Sequence, residues 1–284
     1  MTFYSPLRYP GGKKRLVNYF KQLFEKNSLR NGIYVEPYVG GASVALSLLI
    51  EGYASRIIIN DVDKSIFAFW YSILNYNKEF CDLIRKTPIN VQTWKKQKQI
   101  QKEKEDHNLL KLGFSTFFLN RTNRSGILNA GVIGGNNQGG KWKINARYNK
   151  ESLIKRIKKI ASYKDKIEVY NLDAIELIRL LRDKLPSKTL FYLDPPYYNK
   201  GKELYLNHYI DKDHKEIAVE MKKTKKQRWV ITYDNAGLIK KIYLNNKKIG
   251  YSLGYSAGKS KRGKELMIFS NNISILNTPS INKY

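Results

Sequence analysis

Three short apolar runs, each stopping on or beside an acid or amide, constrain this chain more than any other feature. They are Ile33 to Glu36, Arg56 to Asn60 running into Asp61, and Thr189 to Leu193 running into Asp194. Each is too short for a helix and too continuously apolar for a strand with one wet face, so each reads as a buried parallel strand. Helical spacing follows in Ala42 to Ile50, Lys64 to Leu74 and Ala174 to Leu185, the last with Asp173 as its N-cap candidate. Ile167 to Tyr170 and Trp229 to Tyr233 add two strands, and Tyr251 to Ser270 reads as a strand pair around a polar turn rich in Gly and Lys. Strands alternating with helices predict an α/β fold on an open, doubly wound sheet. Ligands of such sheets sit beyond the carboxyl ends of the strands, where Asp61, Asp194 and the turn after Glu36 are expected to meet.

Residues 77–160 break this alternation. Lys95 to Lys104 is nearly all Lys and Gln, and Asn120 to Lys141 is crowded with Gly, Asn and Arg. The expected organisation is a core of residues 1–76 and 161–270, a loop-rich inserted subdomain at 77–160, and a polar tail at 271–284.

Charge narrows the partner. Fifty-two Lys and Arg against 24 Asp and Glu leave a formal +28 in 284 residues. That excess is beyond what solubility needs, and nucleic acid is the natural partner, although a compositional bias toward Lys and Asn would produce part of it. A single cysteine, Cys81, excludes an intramolecular disulfide, and three histidines with one cysteine exclude a Cys-rich zinc site, so no metal is expected. No stretch of about 20 apolar residues is present to span a bilayer, so no membrane partner and a cytoplasmic location are expected.

The most informative tetrapeptide is Asp194-Pro195-Pro196-Tyr197. An exocyclic amine on a nucleobase is a poor nucleophile because its lone pair is delocalised into the ring. A carboxylate and a main-chain carbonyl set side by side can accept both N–H hydrogens and restore nucleophilicity, and Pro-Pro fixes the backbone that aims the carbonyl. The ring of Tyr197 offers a face on which a base can stack. A strand-ending Asp and a proline turn with no further role is the plain alternative.

Two further segments carry weaker signals. Glu36-Pro37-Tyr38-Val39-Gly40-Gly41-Ala42-Ser43 is a Gly-containing turn after the first strand, able to approach a cofactor closely. Asp61, at the end of the next strand, is placed to accept from ribose hydroxyls or simply to cap a helix. Arg8-Tyr9-Pro10-Gly11-Gly12-Lys13 lacks the spacing of a phosphate loop and, in isolation, reads as a surface turn.

Taken together these segments resemble the D12 class of DNA adenine-N6 methyltransferases, the Dam type, over nearly the whole chain. The match runs through YPGGK, EPYVGGASV, INDVD, Asn120-Arg121, Asp173, DPPY and a closing KELMIFS. The chain departs in GGA, where the family has GAG or GSG, and in Tyr9, where it more often has Trp. The resemblance implies a Rossmann-like methyltransferase core with an inserted DNA-recognition subdomain. It also implies S-adenosyl-L-methionine as cofactor, contacted by Tyr9, Lys13, Asp61, Asp173 and Asp194 and by the turn of Glu36, Pro37, Tyr38 and Gly40. Asp194, Pro195, Pro196 and Tyr197 would hold the adenine. Double-stranded DNA would be met by Asn120, Arg121, Asn123 and Arg124, whose side chains suit base edges or phosphates, and by the turn bearing Lys259, Lys261 and Arg262, which suits phosphate. The resemblance leaves open a partnership with a cognate restriction endonuclease. Methylation of RNA adenine or of cytosine N4, and a catalytically silent DNA-binding module, stand as rival readings; cytosine-N4 enzymes more often carry Ser where Asp194 stands.

Overall fold

In the computed structural model, which describes residues 3–9, 13–198, 209–254 and 262–277, one seven-stranded sheet organises the chain. Its strands are β1 (Gly32–Glu36), β2 (Ala54–Asn60), β3 (Ile167–Tyr170), β4 (Thr189–Leu193), β5 (Arg228–Asp234), β6 (Lys248–Gly254) and β7 (Arg262–Phe269). The spatial order is β3-β2-β1-β4-β5-β7-β6, parallel from β3 to β5, with β7 antiparallel to both β5 and β6. This is a Rossmann-like α/β sheet. Its strand order reverses between β1 and β4, which makes the crevice beyond Glu36 and Leu193 the place for a ligand.

Period-two alternation sorts the strand residues into two cores. Tyr34, Ile57, Ile59, Leu190, Tyr192 and Val230 face one layer, and Val35, Ile58, Phe191, Leu193 and Ile231 face the other. The first layer holds α1 (Val17–Lys26), α2 (Ser43–Ile50) and α3 (Lys64–Asn75); the second is filled from α8 (Ala174–Arg182), α9 (Asp211–Lys223) and α10 (Gly237–Ile242). With both faces covered, the strands need no polar side, which is why they read as continuous apolar runs.

Residues 77–160 are not the loop-rich insertion expected from composition. They form α4 (Asn77–Lys86), α5 (Val91–Lys102), α6 (Leu109–Thr122) and α7 (Lys150–Ala161), and the one long stretch without an α-helix is 123–149. Nor do these helices have a separate core. Phe80, Phe114, Phe117 and Phe118 join the first layer, with Phe117 stacked on Phe69 of α3 at 6.0 Å between ring centroids. Lys and Gln misled here because they are good helix formers on a solvated face, and α5 is such a helix. The polar tail is also partly built in: Ile273 is buried, and the Asn27 side chain donates to Ser274 O at 2.9 Å and accepts from Ser274 N at 2.7 Å.

Close packing of α3 on α6 depends on Gly113, where an added Cβ would lie 2.4 Å from Ala68 O. Helix propensity alone would make Gly113→Ala stabilising by up to about 1 kcal/mol. The contact predicts the opposite sign, a loss of about 1–3 kcal/mol in denaturant unfolding.

Candidate active site

Four strands deliver an acid to the same end of the sheet. Glu36 closes β1, Asp61 follows β2, Asp194 follows β4, and Asp234 closes β5. A fifth arrives from the opposite direction: because β7 runs antiparallel, Glu265 in its first half pairs with Asp234. Glu265 is buried, as is Glu36. Sequence reading did not single out Glu265; its signal was a lone acid inside the otherwise apolar run ELMIFS, uninterpretable without the strand direction.

Among the described residues, one cation sits with these carboxylates. Lys13 is buried, and its Nζ lies 2.8 Å from Asp194 Oδ2 and 4.0 Å from Glu265 Oε2, and donates to Tyr197 Oη at 2.7 Å. The same ammonium stands 4.9 Å from the Tyr197 ring centroid. Lys13 is therefore no part of a surface turn, as its segment reads in isolation. It opens a 3-10 turn, Lys13–Leu16, that leads into α1. The other Asp194 oxygen accepts from Thr232 Oγ1 at 2.7 Å, and Thr232 Oγ1 lies 3.0 Å from Tyr192 Oη. Tyr251 Oη donates to Glu265 Oε2 at 2.6 Å. Pro195 is buried, and Pro196 and Tyr197 are half-buried.

The electrostatics follow from crowding. Burial first, and then the charge of Asp194, push the Glu36 carboxyl well above the usual range, while Lys13 pulls it back. Burial also raises Glu265, again opposed by Lys13. Tyr34, Tyr192 and Tyr197 are all raised by burial, with Asp194 contributing. Glu36 Oε2 and Glu265 Oε1 have no hydrogen-bond partner among the described residues. Buried carboxylate oxygens left over beside one lysine fit a ligand that carries positive charge of its own, as S-adenosylmethionine does in its ammonium and sulfonium groups.

Next to this cluster the turn after β1 is held by three side chains. Asp61 Oδ2 accepts from Gly40 N at 3.0 Å and Oδ1 from Asp63 N at 3.0 Å. Trp70 Nε1 donates to Gly40 O at 2.9 Å, and the Tyr9 ring packs so tightly on Gly40 that a Cβ there would lie 2.6 Å from Tyr9 Cε1. Gly40 also has φ +43°, so no other residue fits easily. Ala42 has φ +50°; it stands where the resembled family carries its second glycine, which explains that glycine and leaves this chain with local strain. Asn60, unremarked in the sequence, is the buried clamp between two loops: Nδ2 donates to Pro37 O at 2.9 Å and Leu172 O at 3.0 Å, and Oδ1 accepts from Leu172 N at 2.9 Å. Tyr38 Oη lies 3.1 Å from Tyr209 Oη. Asp173 caps α8, accepting from Ile175 N at 2.8 Å.

The model of one family matches residues 9–253: the D12 class N6 adenine-specific DNA methyltransferases. The chain belongs to that family. Among curated proteins it is 22% identical over 205 residues to the Type II methyltransferase M.MjaIII of Methanocaldococcus jannaschii, covering 67% of this chain and 68% of that one. Solved structures with a similar fold include an S-adenosylmethionine-dependent methyltransferase from Agrobacterium tumefaciens (8% identity, TM-score 0.42, 90% of this chain and 62% of that one). Another is the rRNA methyltransferase AviRa from Streptomyces viridochromogenes (10% identity, TM-score 0.39, 93% and 88%). The chain is thus a DNA adenine methyltransferase that uses S-adenosylmethionine.

The residues expected to meet DNA divide. Asn120 and Asn123 are buried, and their side chains hold the backbone of their own loop. The Asn120 amide accepts from Arg8 N at 2.7 Å and donates to Arg8 O at 2.8 Å and Gly126 O at 2.9 Å. Asn123 accepts from Trp94 Nε1 at 2.6 Å and donates to Ile127 O and Leu128 O. These two asparagines build the loop. Arg124 is exposed, and Arg121 is half-buried against backbone carbonyls. Lys259 and Lys261 lie outside the described residues, and Arg262 is described only as the first residue of β7. Among the described residues there is no group of His, Cys, Asp and Glu that could hold a metal, and no helix long and apolar enough to cross a membrane.

Asp61 gives a pH test. Burial raises its carboxyl from 3.8 to about 7. Its proton is held more tightly in the folded state, so the associated stability is complete below pH 4 and is lost as pH rises to about 7. Wild-type stability should therefore decline between pH 4 and 7 relative to Asp61→Asn, which should be the more stable variant at pH 8. Denaturant titrations across that range check the slope; parallel profiles would contradict it.

Proposed function

We propose that this protein is a site-specific DNA methyltransferase that flips one adenine out of the duplex and transfers a methyl group directly to its N6. The observation that carries the reading is Asp194-Pro195-Pro196-Tyr197 at the carboxyl end of β4, beside the strand-order reversal, with the Asp194 carboxylate fixed from both sides by Lys13 and Thr232. S-adenosylmethionine, when bound, supplies a methyl on a positively charged sulfur. Asp194 and the neighbouring main-chain carbonyl would accept the two N6 hydrogens and free the nitrogen lone pair to take the methyl in line, the carbon–sulfur bond breaking to leave the neutral thioether and one N6 proton passing to solvent. Tyr197 stacks the extruded base on the ring face opposite the Lys13 ammonium. Tyr9 and the turn of Glu36, Pro37, Tyr38 and Gly40 form the cofactor cradle. In it Lys13 takes the cofactor carboxylate, Asp61 the ribose hydroxyls, and Asp173 the adenine side. Cys81 is buried within α4, outside the residues that gather at this site, so a covalent route through a thiol has no nucleophile here.

Arg124, exposed on the loop after α6, and the basic residues Lys259, Lys261 and Arg262 approach the DNA. The family match favours adenine N6 in DNA over RNA or cytosine N4, and the retained Lys13, Asp61 and Asp194 speak against a silent module. The similarity to a Type II methyltransferase supports pairing with a restriction endonuclease.

Methyl-labelled S-adenosylmethionine incubated with duplex DNA, followed by digestion to nucleosides, tests the reading. Label is expected in N6-methyldeoxyadenosine, and Asp194→Ala should slow its appearance at least ~100-fold with an unchanged circular dichroism spectrum. Label confined to N4-methyldeoxycytidine or to RNA, or near-normal turnover by the variant, would refute it.

A further inference from the structure

Outside the active site, four arginines gather with no acid partner among the described residues. Residues 5–8 run between the arginines of two helices and a loop. Arg156 of α7 donates to Ser5 O at 3.3 Å, and Arg121 of α6 to Pro6 O at 3.5 Å and Arg147 O at 2.6 Å. Arg8, whose backbone is bracketed by Asn120, donates to Asn123 O at 3.2 Å. None of the four guanidiniums forms an ion pair among the described residues. They feel one another instead. Burial, followed by the charges of Arg8 and Arg156, brings Arg121 down to about 10, and burial followed by Arg147 lowers Arg8.

Gathering like charges, with Arg8 and Arg121 partly desolvated and no carboxylate among them, is costly unless an anion completes the set. Backbone carbonyls use only part of the donor forks of Arg8, Arg121 and Arg156 and none of that of Arg147, and the rest is the geometry that binds phosphate in a bidentate manner. Place matters too. The segment that carries Arg8 continues through Tyr9 on the Gly40 turn to Lys13, and five residues of chain span at most about 18 Å. That corresponds to roughly five base pairs of duplex.

We propose that Arg8, Arg121, Arg147 and Arg156 form a phosphodiester site that grips the DNA backbone within a few nucleotides of the target adenine. The site rests on the proposed reading in which DNA enters at this end of the sheet. It makes Arg121 a phosphate contact and leaves base reading to other side chains.

Arg147→Gln is the cleanest probe. Arg147 is exposed, and its side chain makes no hydrogen bond or ion pair among the described residues, its one recorded contact being with the Trp142 ring at 5.8 Å. Arg156→Gln, which retains a donor for Ser5 O, is the second. Affinity for a random-sequence duplex is measured against salt, and site preference is read by sequencing methylated DNA from a random-site library. Each variant should flatten the slope of log K against log salt by about 0.9 for one lost phosphate and leave site preference unchanged. An unchanged slope, or altered site preference at unchanged slope, overturns the proposal. So does a third outcome: inorganic phosphate that binds the wild type but not Arg147→Gln while the DNA slopes agree, which would assign the cluster to a free anion. If the wild type transfers no methyl to DNA, the functional reading fails whatever the slopes show.

Discussion

A single buried ammonium, that of Lys13, makes the end of this sheet possible. Parallel strands bring Glu36 and Asp194 side by side, and the antiparallel β7 adds Glu265 from the other direction. Three carboxylates in that volume would repel one another and be driven toward their protonated forms. Lys13 offsets this for both glutamates, pairs with Asp194, and holds the Tyr197 hydroxyl. The residual acid is what a cationic cofactor requires, so the imbalance that strains the protein alone suits it to its ligand.

The rest of the fold serves to bring that lysine and those acids together. Asn60 ties the loops after β1 and β3 through three hydrogen bonds, and Asp61 ties the Gly40 turn, so the crevice at the strand-order reversal is held by side chains at strand ends rather than by loop sequence. Tyr9, packed on Gly40, fastens the N-terminal segment to the same turn. Arg8 and Lys13, near the start of the chain, thereby reach the arginine cluster on one side and Asp194 on the other.

The strands were legible because a sheet covered on both faces shows each strand as a short continuous apolar run, and Ile167 to Tyr170 and Thr189 to Leu193 match the structure residue for residue. Asp194 and Asp61 could be placed because acids that end such strands must point into the crevice. Glu265 could not be, since its position depends on β7 running antiparallel, which no local pattern encodes. The helices of 77–160 were hidden for another reason. Their Lys- and Gln-rich exposed faces resemble loop composition, while the apolar side that joins α6 to the main core, Phe114, Phe117 and Phe118, is visible only as three spaced aromatics. Asn120 and Asn123 show the limit of residue type as a guide: an asparagine suits a base edge and a loop backbone equally well, and that both are buried against their own loop is visible only in the fold.

The most direct test of this account is the pH dependence of stability in Lys13→Met. Without the ammonium, Glu36 and Glu265 lose the interaction that opposes their raised pKa values, so both hold protons more tightly in the folded state. Stability below pH 5 should change little, and it should then fall more steeply than wild type as pH rises, by about 3–5 kcal/mol at pH 8. Adding Glu265→Gln to that background removes one of the unpaired acids and should recover part of the loss. Denaturant unfolding of the three proteins from pH 5 to 8 measures this. A loss in Lys13→Met that does not vary with pH, or that Glu265→Gln fails to relieve, would contradict the claim that one cation holds the site together.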